Sequence, residues 1–187
     1  MLLRRRHGDT PTGSPGAFGA GPEQRIGTRF VMRQKMFSFG DDFTVQDEQG
    51  RKLFTVDGKV FRIRDTLLFK DAEGVELYKI QQKLLRVRDS MDVKRGDQVV
   101  AHVHQALFTP LRDRFQIDLA NGDKLQAKGN FLYHEYKIRR GDWPVAIVSK
   151  RWFRIRDTYG VEVAPQEDAL LMLAITVCVD MLAHKGR

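Results

Sequence analysis

Between Arg29 and Val163 the chain alternates apolar and polar residues over short stretches, and helix-period stretches are hard to find. Turn chemistry punctuates them at Asp47-Glu48-Gln49-Gly50, Asp57-Gly58, Asp71-Ala72-Glu73-Gly74, Arg95-Gly96-Asp97, Asn121-Gly122-Asp123 and Arg140-Gly141-Asp142. Each sets a Gly close to Asp, Asn or another polar residue, the chemistry that tight hairpins use to reach positive φ. The pattern predicts an antiparallel meander of short strands.

Near the end of the chain the pattern changes. Ala169 to Ala183 reads ALLMLAITVCVDMLA, with only Thr176 and Asp180 interrupting the apolar residues. A helix with no polar side has to be enclosed all round. Pro165, Glu167 and Asp168 suit its start, and His184, Lys185 and Arg187 suit the negative end of its dipole, so a helix is predicted over about 166–184. At 1.5 Å per residue the apolar run is about 23 Å long, short of the roughly 30 Å of hydrocarbon in a bilayer. It reads as the core of a domain, and no transmembrane span is expected. The β-branched run Ile175-Thr176-Val177 leaves a buried strand as the alternative.

The strands repeat. Phe61-Arg62-Ile63-Arg64-Asp65-Thr66 recurs as Phe153-Arg154-Ile155-Arg156-Asp157-Thr158 and, with conservative changes, as Leu85-Arg86-Val87-Arg88-Asp89-Ser90. Looser copies begin at Phe37, Phe108 and Phe131, so the starts at 37, 61, 85, 108, 131 and 153 lie 22 to 24 residues apart. Such a period holds two strands and two turns, and six units give about twelve strands. That many consecutive antiparallel strands would expose costly edges unless the sheet closed. A barrel of that width is not filled by its own side chains, and the apolar helix is the missing filling.

The chain resembles the LURP-one-related proteins, which belong with the Tubby C-terminal domain and the phospholipid scramblases in the Tubby-like superfamily. The residues that carry the resemblance are Phe30-Val31-Met32-Arg33-Gln34-Lys35-Met36-Phe37-Ser38-Phe39-Gly40-Asp41-Asp42-Phe43-Thr44-Val45, Gly129-Asn130-Phe131 with His134-Glu135-Tyr136, and Val148-Ser149-Lys150-Arg151-Trp152-Phe153 followed by Asp157-Thr158-Tyr159-Gly160-Val161. The resemblance covers residues 29 to 184. It implies a mainly β fold, a closed barrel of twelve antiparallel strands around a buried hydrophobic C-terminal helix. It transfers no catalytic residue. The superfamily's association with phosphorylated phosphoinositides and other lipids makes such a ligand an expectation here.

Composition adds an N-terminal tail and a compartment. Residues 8 to 28 are dominated by Gly, Pro, Thr, Ser and Ala, too little apolar surface to offset the entropy of ordering, so 1–28 reads as a disordered arm before a domain at 29–187. Arg4, Arg5 and Arg6 have no apolar segment after them to make an export signal. The single cysteine, Cys178, excludes a disulfide within the chain and lies in the apolar run as a small buried hydrophobe. A cytoplasmic protein is expected, peripheral at the membrane where an anionic surface is its ligand.

Charge directs the search for a site. The formal net charge is +8, and without the first 28 residues 28 basic side chains still face 22 acidic ones. On strands, Arg62 with Arg64, Arg86 with Arg88 and Arg154 with Arg156 would each point away from an inward Ile or Val, with Lys150 and Arg151 close by in sequence. Guanidinium forks match phosphate oxygens, so these eight residues form the candidate site for an anionic phospholipid headgroup or membrane surface. A solvated barrel exterior paired with Asp65, Asp89, Asp113 and Asp157 accounts for the same pattern. Strand parity raises a difficulty, because Val60, Leu84 and Trp152 share the arginine side; a bulge or strand boundary near each would remove it.

Other constellations are weaker. His102 and His104 share a strand face but lack a third metal ligand nearby in sequence. His134-Glu135 reads as structural. Trp143, Trp152 and Tyr159 beside Arg151, Arg154 and Arg156 would offer stacking platforms for a nucleic acid, a reading that ranks below lipid. The sequence has no Gly-rich phosphate loop, no G-x-S-x-G, no zinc-spaced cysteines and no acid pair, so no enzyme, metal or cofactor is expected. A protein-interaction scaffold is the alternative from another class. Scrambling by insertion of the C-terminal segment ranks lower, against its length and Asp180.

Overall fold

Asp168 sets the start of the helix. Its Oδ1 accepts the N–H of Leu171 at 3.0 Å and its carbonyl that of Met172 at 3.0 Å, which satisfies donors that a helix start leaves free. The helix, α1, runs Ala169–His184, three residues shorter at the front than predicted. Pro165 and Gln166 instead form a turn closed by the Glu167 N–H donating to Ala164 at 3.1 Å. Met172 to Asp180 are buried without exception, as a helix with no polar side requires.

The structure is a computed structural model, and it describes residues 25–35, 42–59, 66–84, 89–106, 114–153 and 157–184. Twelve strands surround α1: β1 (Thr28–Lys35), β2 (Asp42–Gln46), β3 (Lys52–Lys59), β4 (Thr66–Asp71), β5 (Glu76–Leu84), β6 (Asp89–Arg95), β7 (Gln98–Gln105), β8 (Arg114–Leu119), β9 (Lys124–Asn130), β10 (Glu135–Arg140), β11 (Trp143–Ser149) and β12 (Thr158–Val163). Each pairs antiparallel with the next, and β1 pairs with β12 to close the barrel. The fold is the mainly β closed barrel with a central helix that the repeat and the helix together predicted.

Alternation along each strand builds the core. Ile80, Val93, Val103, Ile117, Ala127, Ile138, Val148 and Val161 point inward and are at most 1 % exposed, packed round Leu173, Ile175, Val177 and Cys178 of α1. Arg95, Arg140 and the tight turns lie at the helix N-terminus, where Arg140 pairs with Glu167 at 2.9 Å and Arg95 with Asp168 at 3.4 Å. The connection between β9 and β10 lies at the helix C-terminus, where His134 stacks on His184.

One predicted turn is not a turn. Asp57 and Gly58 lie within β3, opposite Leu68 and Leu67 of β4, and Asp57 pairs with Lys70 at 2.6 Å. A two-strand unit has its tight turn at Asp47–Gly50, and the ladder to β4 runs on through Gly58. By contrast, Gly96 and Gly141 open two-residue hairpins at φ +58° and +57°, as read from sequence. Of the positions that raised the parity difficulty, Trp152 sits in a turn between β11 and β12, Leu84 is the last described residue of β5, and Val60 lies outside the described residues.

The seam between β1 and β12 is covered on its outer side. Gly160 faces outward against the Trp152 ring, so close that a Cβ there would lie 2.3 Å from Cε3. The Arg29 guanidinium lies over the same ring, 3.9 Å from its centroid, and donates to Glu162 at 2.8 Å. The Glu162 carboxylate also accepts the N–H groups of Ile26 and Gly27, so β12 is buried on both faces.

Candidate anion-binding groove

Cross-strand register determines where the basic side chains of β8, β9 and β10 meet. Phe115 and Ile117, Leu125 and Ala127, and Tyr136 and Ile138 are buried, which places Arg114, Lys128 and Lys137 on the outer face. Arg114 is the Cα partner of Lys128, Lys128 of Lys137, and Lys137 of Ile147 on β11. Three cations therefore stand side by side across adjacent strands, about 4.8 Å apart along the ladder. Like charges directly opposite each other are destabilising, and none of the three has an acidic partner among the described residues.

Lys128 and Lys137 of this row line an open groove of about 400 Å³ together with Arg139 and Arg151, and Arg114 stands next to Lys128 on β8. Gly129 lies on its floor, where β9 and β10 approach so closely that a Cβ would lie 2.5 Å from the Glu135 carbonyl oxygen; its φ is +146°. The groove continues into a recess of about 500 Å³ lined by Asn130, Tyr133, Glu135, Lys150 and Arg151. Glu135 is the one carboxylate on these linings, and it is already engaged. It accepts Ser149 Oγ at 3.0 Å and the N–H groups of Lys150 at 2.9 Å and Arg151 at 3.1 Å. The Arg151 guanidinium forms a long ion pair with Glu135 at 3.6 Å and is 76 % exposed, so most of its fork faces solvent.

The connection between β9 and β10 holds the recess in shape. Phe131 begins a single 3-10 turn, Phe131–Tyr133, and packs against Phe115 and Tyr136 with ring centroids 4.9 Å apart in both cases. His134 follows in the left-handed region at φ +50°, its N–H donating to Phe131 O at 3.1 Å. Its ring stacks on Tyr159 at 4.2 Å. This family-like phrase has the structural role that the sequence suggested.

Behind the groove, inside the barrel, Asp180 of α1 accepts hydrogen bonds from Tyr136 and Tyr159. Burial, and then the Asp180 charge, push both phenol pKa values well above the ordinary one. Burial likewise raises the pKa of the Cys178 thiol, the unreactive state expected of it.

Of the eight residues predicted for the site, Lys150 and Arg151 line the recess. Arg62, Arg64, Arg86, Arg88, Arg154 and Arg156 lie outside the described residues. Arg114, Lys128, Lys137 and Arg139 did not figure in the sequence reading; the signal was their alternation with Phe115, Ala127 and Ile138, which acquires meaning once three strands are in register. The proposed nucleic-acid platforms are corrected: Tyr159 is a core residue at 1 % exposure, because it shares strand parity with Val161 and Val163. Trp152 is half-buried under Arg29, and Trp143 stands at the opposite end of the barrel. His102 and His104 do share a face, with Asp92 at 2.6 Å and Asp118 at 3.1 Å as their separate partners. Among the described residues no group of three metal-binding side chains occurs, and no helix is long and apolar enough to cross a membrane.

A closed twelve-stranded barrel threaded by a C-terminal helix defines a protein of the Tubby-like class. Residues 28–180 match the LURP-one-related family, and the chain belongs to it. The uncharacterized protein YxjI of Bacillus subtilis (strain 168) is 31 % identical over 153 residues, 82 % of this chain and 92 % of that one. The X-ray structure of an Arabidopsis thaliana protein superposes with a TM-score of 0.62, covering 90 % of this chain and all of that one. At 18 % identity the latter likeness concerns the fold.

Proposed function

We propose that this protein binds anionic phospholipid headgroups, or the anionic membrane surface they form, and catalyses no reaction. The observation that carries this reading is the row Arg114–Lys128–Lys137, three neighbouring cations without acidic partners beside a groove that also presents Arg139 and Arg151. A folded protein gains nothing in stability from that juxtaposition, whereas a phosphate-bearing ligand would relieve the repulsion and accept their hydrogen bonds. The one carboxylate on the linings is engaged by Ser149, two backbone N–H groups and a long ion pair to Arg151, and it pairs with neither Lys128 nor Lys137. The predicted arginines on residues 62–64, 86–88 and 154–156 extend the same chemistry in the proposal.

Co-sedimentation with vesicles tests it. Wild type is expected to pellet with phosphatidylcholine vesicles that contain phosphatidylserine or a phosphoinositide, less so as salt is raised, and a Lys128→Glu, Lys137→Glu variant is expected to stay in the supernatant. Equal binding to neutral vesicles, or binding unchanged in the variant, would refute the reading.

A further inference from the structure

Five large apolar side chains are conspicuously exposed among the described residues: Val75, Val99, Leu132, Tyr133 and Trp143. Three of them lie in or next to short turns that also carry a carboxylate. Val75 follows Asp71 and Glu73, Val99 follows Asp97, and Trp143 follows Asp142, all at the end of the barrel where α1 begins. Leu132 and Tyr133 differ. They are consecutive, 41 % and 67 % exposed, and sit at the other end beside Lys150 and Arg151, which line a recess together with Tyr133.

The turn that presents them is held from below at three points. Phe131 is buried between Phe115 and Tyr136, His134 stacks on Tyr159, and the His134 carbonyl accepts the Lys150 N–H at 3.1 Å. Burying two large side chains on a fixed turn loses little conformational entropy, so most of the apolar transfer remains as binding energy. A tyrosine next to a leucine suits the boundary between headgroups and acyl chains, where an apolar body and a polar hydroxyl are both accommodated. Cations flanking such a pair attract anionic lipid.

Resting on the proposed anionic-surface binding, we infer that Leu132 and Tyr133 form a wedge that inserts into the headgroup region of an anionic bilayer. Insertion orients the barrel with the C-terminal end of α1 toward the membrane and brings Lys150, Arg151 and the Lys128–Lys137 groove against lipid phosphates. The ligand of this surface is thus a bilayer and not a free phosphate compound.

Site-specific fluorescence tests the wedge, using Leu132→Cys carrying an environment-sensitive NBD label in the otherwise full chain. The native Cys178 is fully buried with a raised thiol pKa and leaves the label to position 132. On phosphatidylserine-containing vesicles the emission is expected to shift to the blue and to be quenched by lipids with brominated acyl chains; the same label on Trp143→Cys is expected to stay in water. A Leu132→Ser, Tyr133→Ser variant is expected to bind these vesicles about tenfold more weakly, and Leu132→Ser alone, at a residue on neither the groove nor the recess lining, to bind them more weakly yet to bind soluble inositol phosphates as wild type does. An unshifted label on membrane-bound protein, or full vesicle affinity in the double-serine variant, overturns the wedge while the groove's role stands. Wild-type binding to soluble inositol phosphates but to no vesicle overturns the wedge and the bilayer as ligand, and binding to neither overturns the proposed function as well.

Discussion

Asp180 of α1 and Tyr136 of β10 meet inside the barrel, the phenol hydroxyl donating to Oδ1 at 3.2 Å. Tyr159 of β12 donates to the other carboxylate oxygen, and His134 Nδ1 lies 3.4 Å from Oδ1, at ion-pair distance but off hydrogen-bond geometry. One carboxylate in the apolar helix thereby fixes it against two strands that do not pair with each other. A buried carboxylate costs desolvation, and both hydroxyls cost as much if it is removed.

Asp180→Ala should therefore destabilise the fold by about 2 kcal/mol or more, since two buried hydroxyls lose their acceptor. Asp180→Asn keeps one carbonyl acceptor and should cost less. Urea denaturation followed by far-ultraviolet circular dichroism measures both, and equal costs for the two variants would count against the hydrogen-bonding role.

The same cluster sets the behaviour in alkali. Tyr136 and Tyr159 have folded-state pKa values well above the ordinary 10.0, raised first by burial and then by Asp180. The folded protein holds these protons more tightly than the unfolded chain does. Their contribution to stability is complete below the unfolded value and falls as pH rises beyond it, toward the folded values. Phenolate absorbance should thus show two tyrosines that ionise only with alkaline unfolding. A Tyr136→Phe, Tyr159→Phe variant should lack that step; a gradual titration of all four tyrosines in the native protein would contradict the arrangement.

At the seam, Gly160→Ala should cost about 2 kcal/mol, because its Cβ would lie 2.3 Å from Cε3 of Trp152 and 3.0 Å from Cε2 of Phe153. In a Trp152→Ala background the main obstruction is gone. A double-mutant cycle on thermal stability should give a coupling of at least half the single-variant cost, and additive effects would show that the ring yields freely.

Lys128→Glu places a carboxylate between Arg114 and Lys137. It should raise stability by about 0.5 kcal/mol while lowering affinity for anionic vesicles. Loss of stability together with loss of binding would mean that the row serves the fold and not a ligand.

Much of the architecture is legible in the amino-acid sequence. A period of 22 to 24 residues, turn residues at matching places and one helix without a polar side suffice for a closed barrel with a filled interior. Tyr159 was legible too, since Tyr159, Val161 and Val163 alternate inward along one strand, but its place beside arginines in the sequence suggested a surface. Asp57-Gly58 misled because turn chemistry is local, while the β3–β4 ladder that runs through it is not.

The sequence by itself determined which side chains go inside, because burial follows strand parity and a fully apolar helix has only one kind of environment. The tertiary structure alone decided who stands next to whom. Arg114, Lys128 and Lys137 become neighbours through the register of three strands, and Asp180 finds Tyr136 and Tyr159 only after the helix has threaded the barrel. Parity repeats every two residues and can be read locally, whereas register depends on how all twelve strands close round the helix.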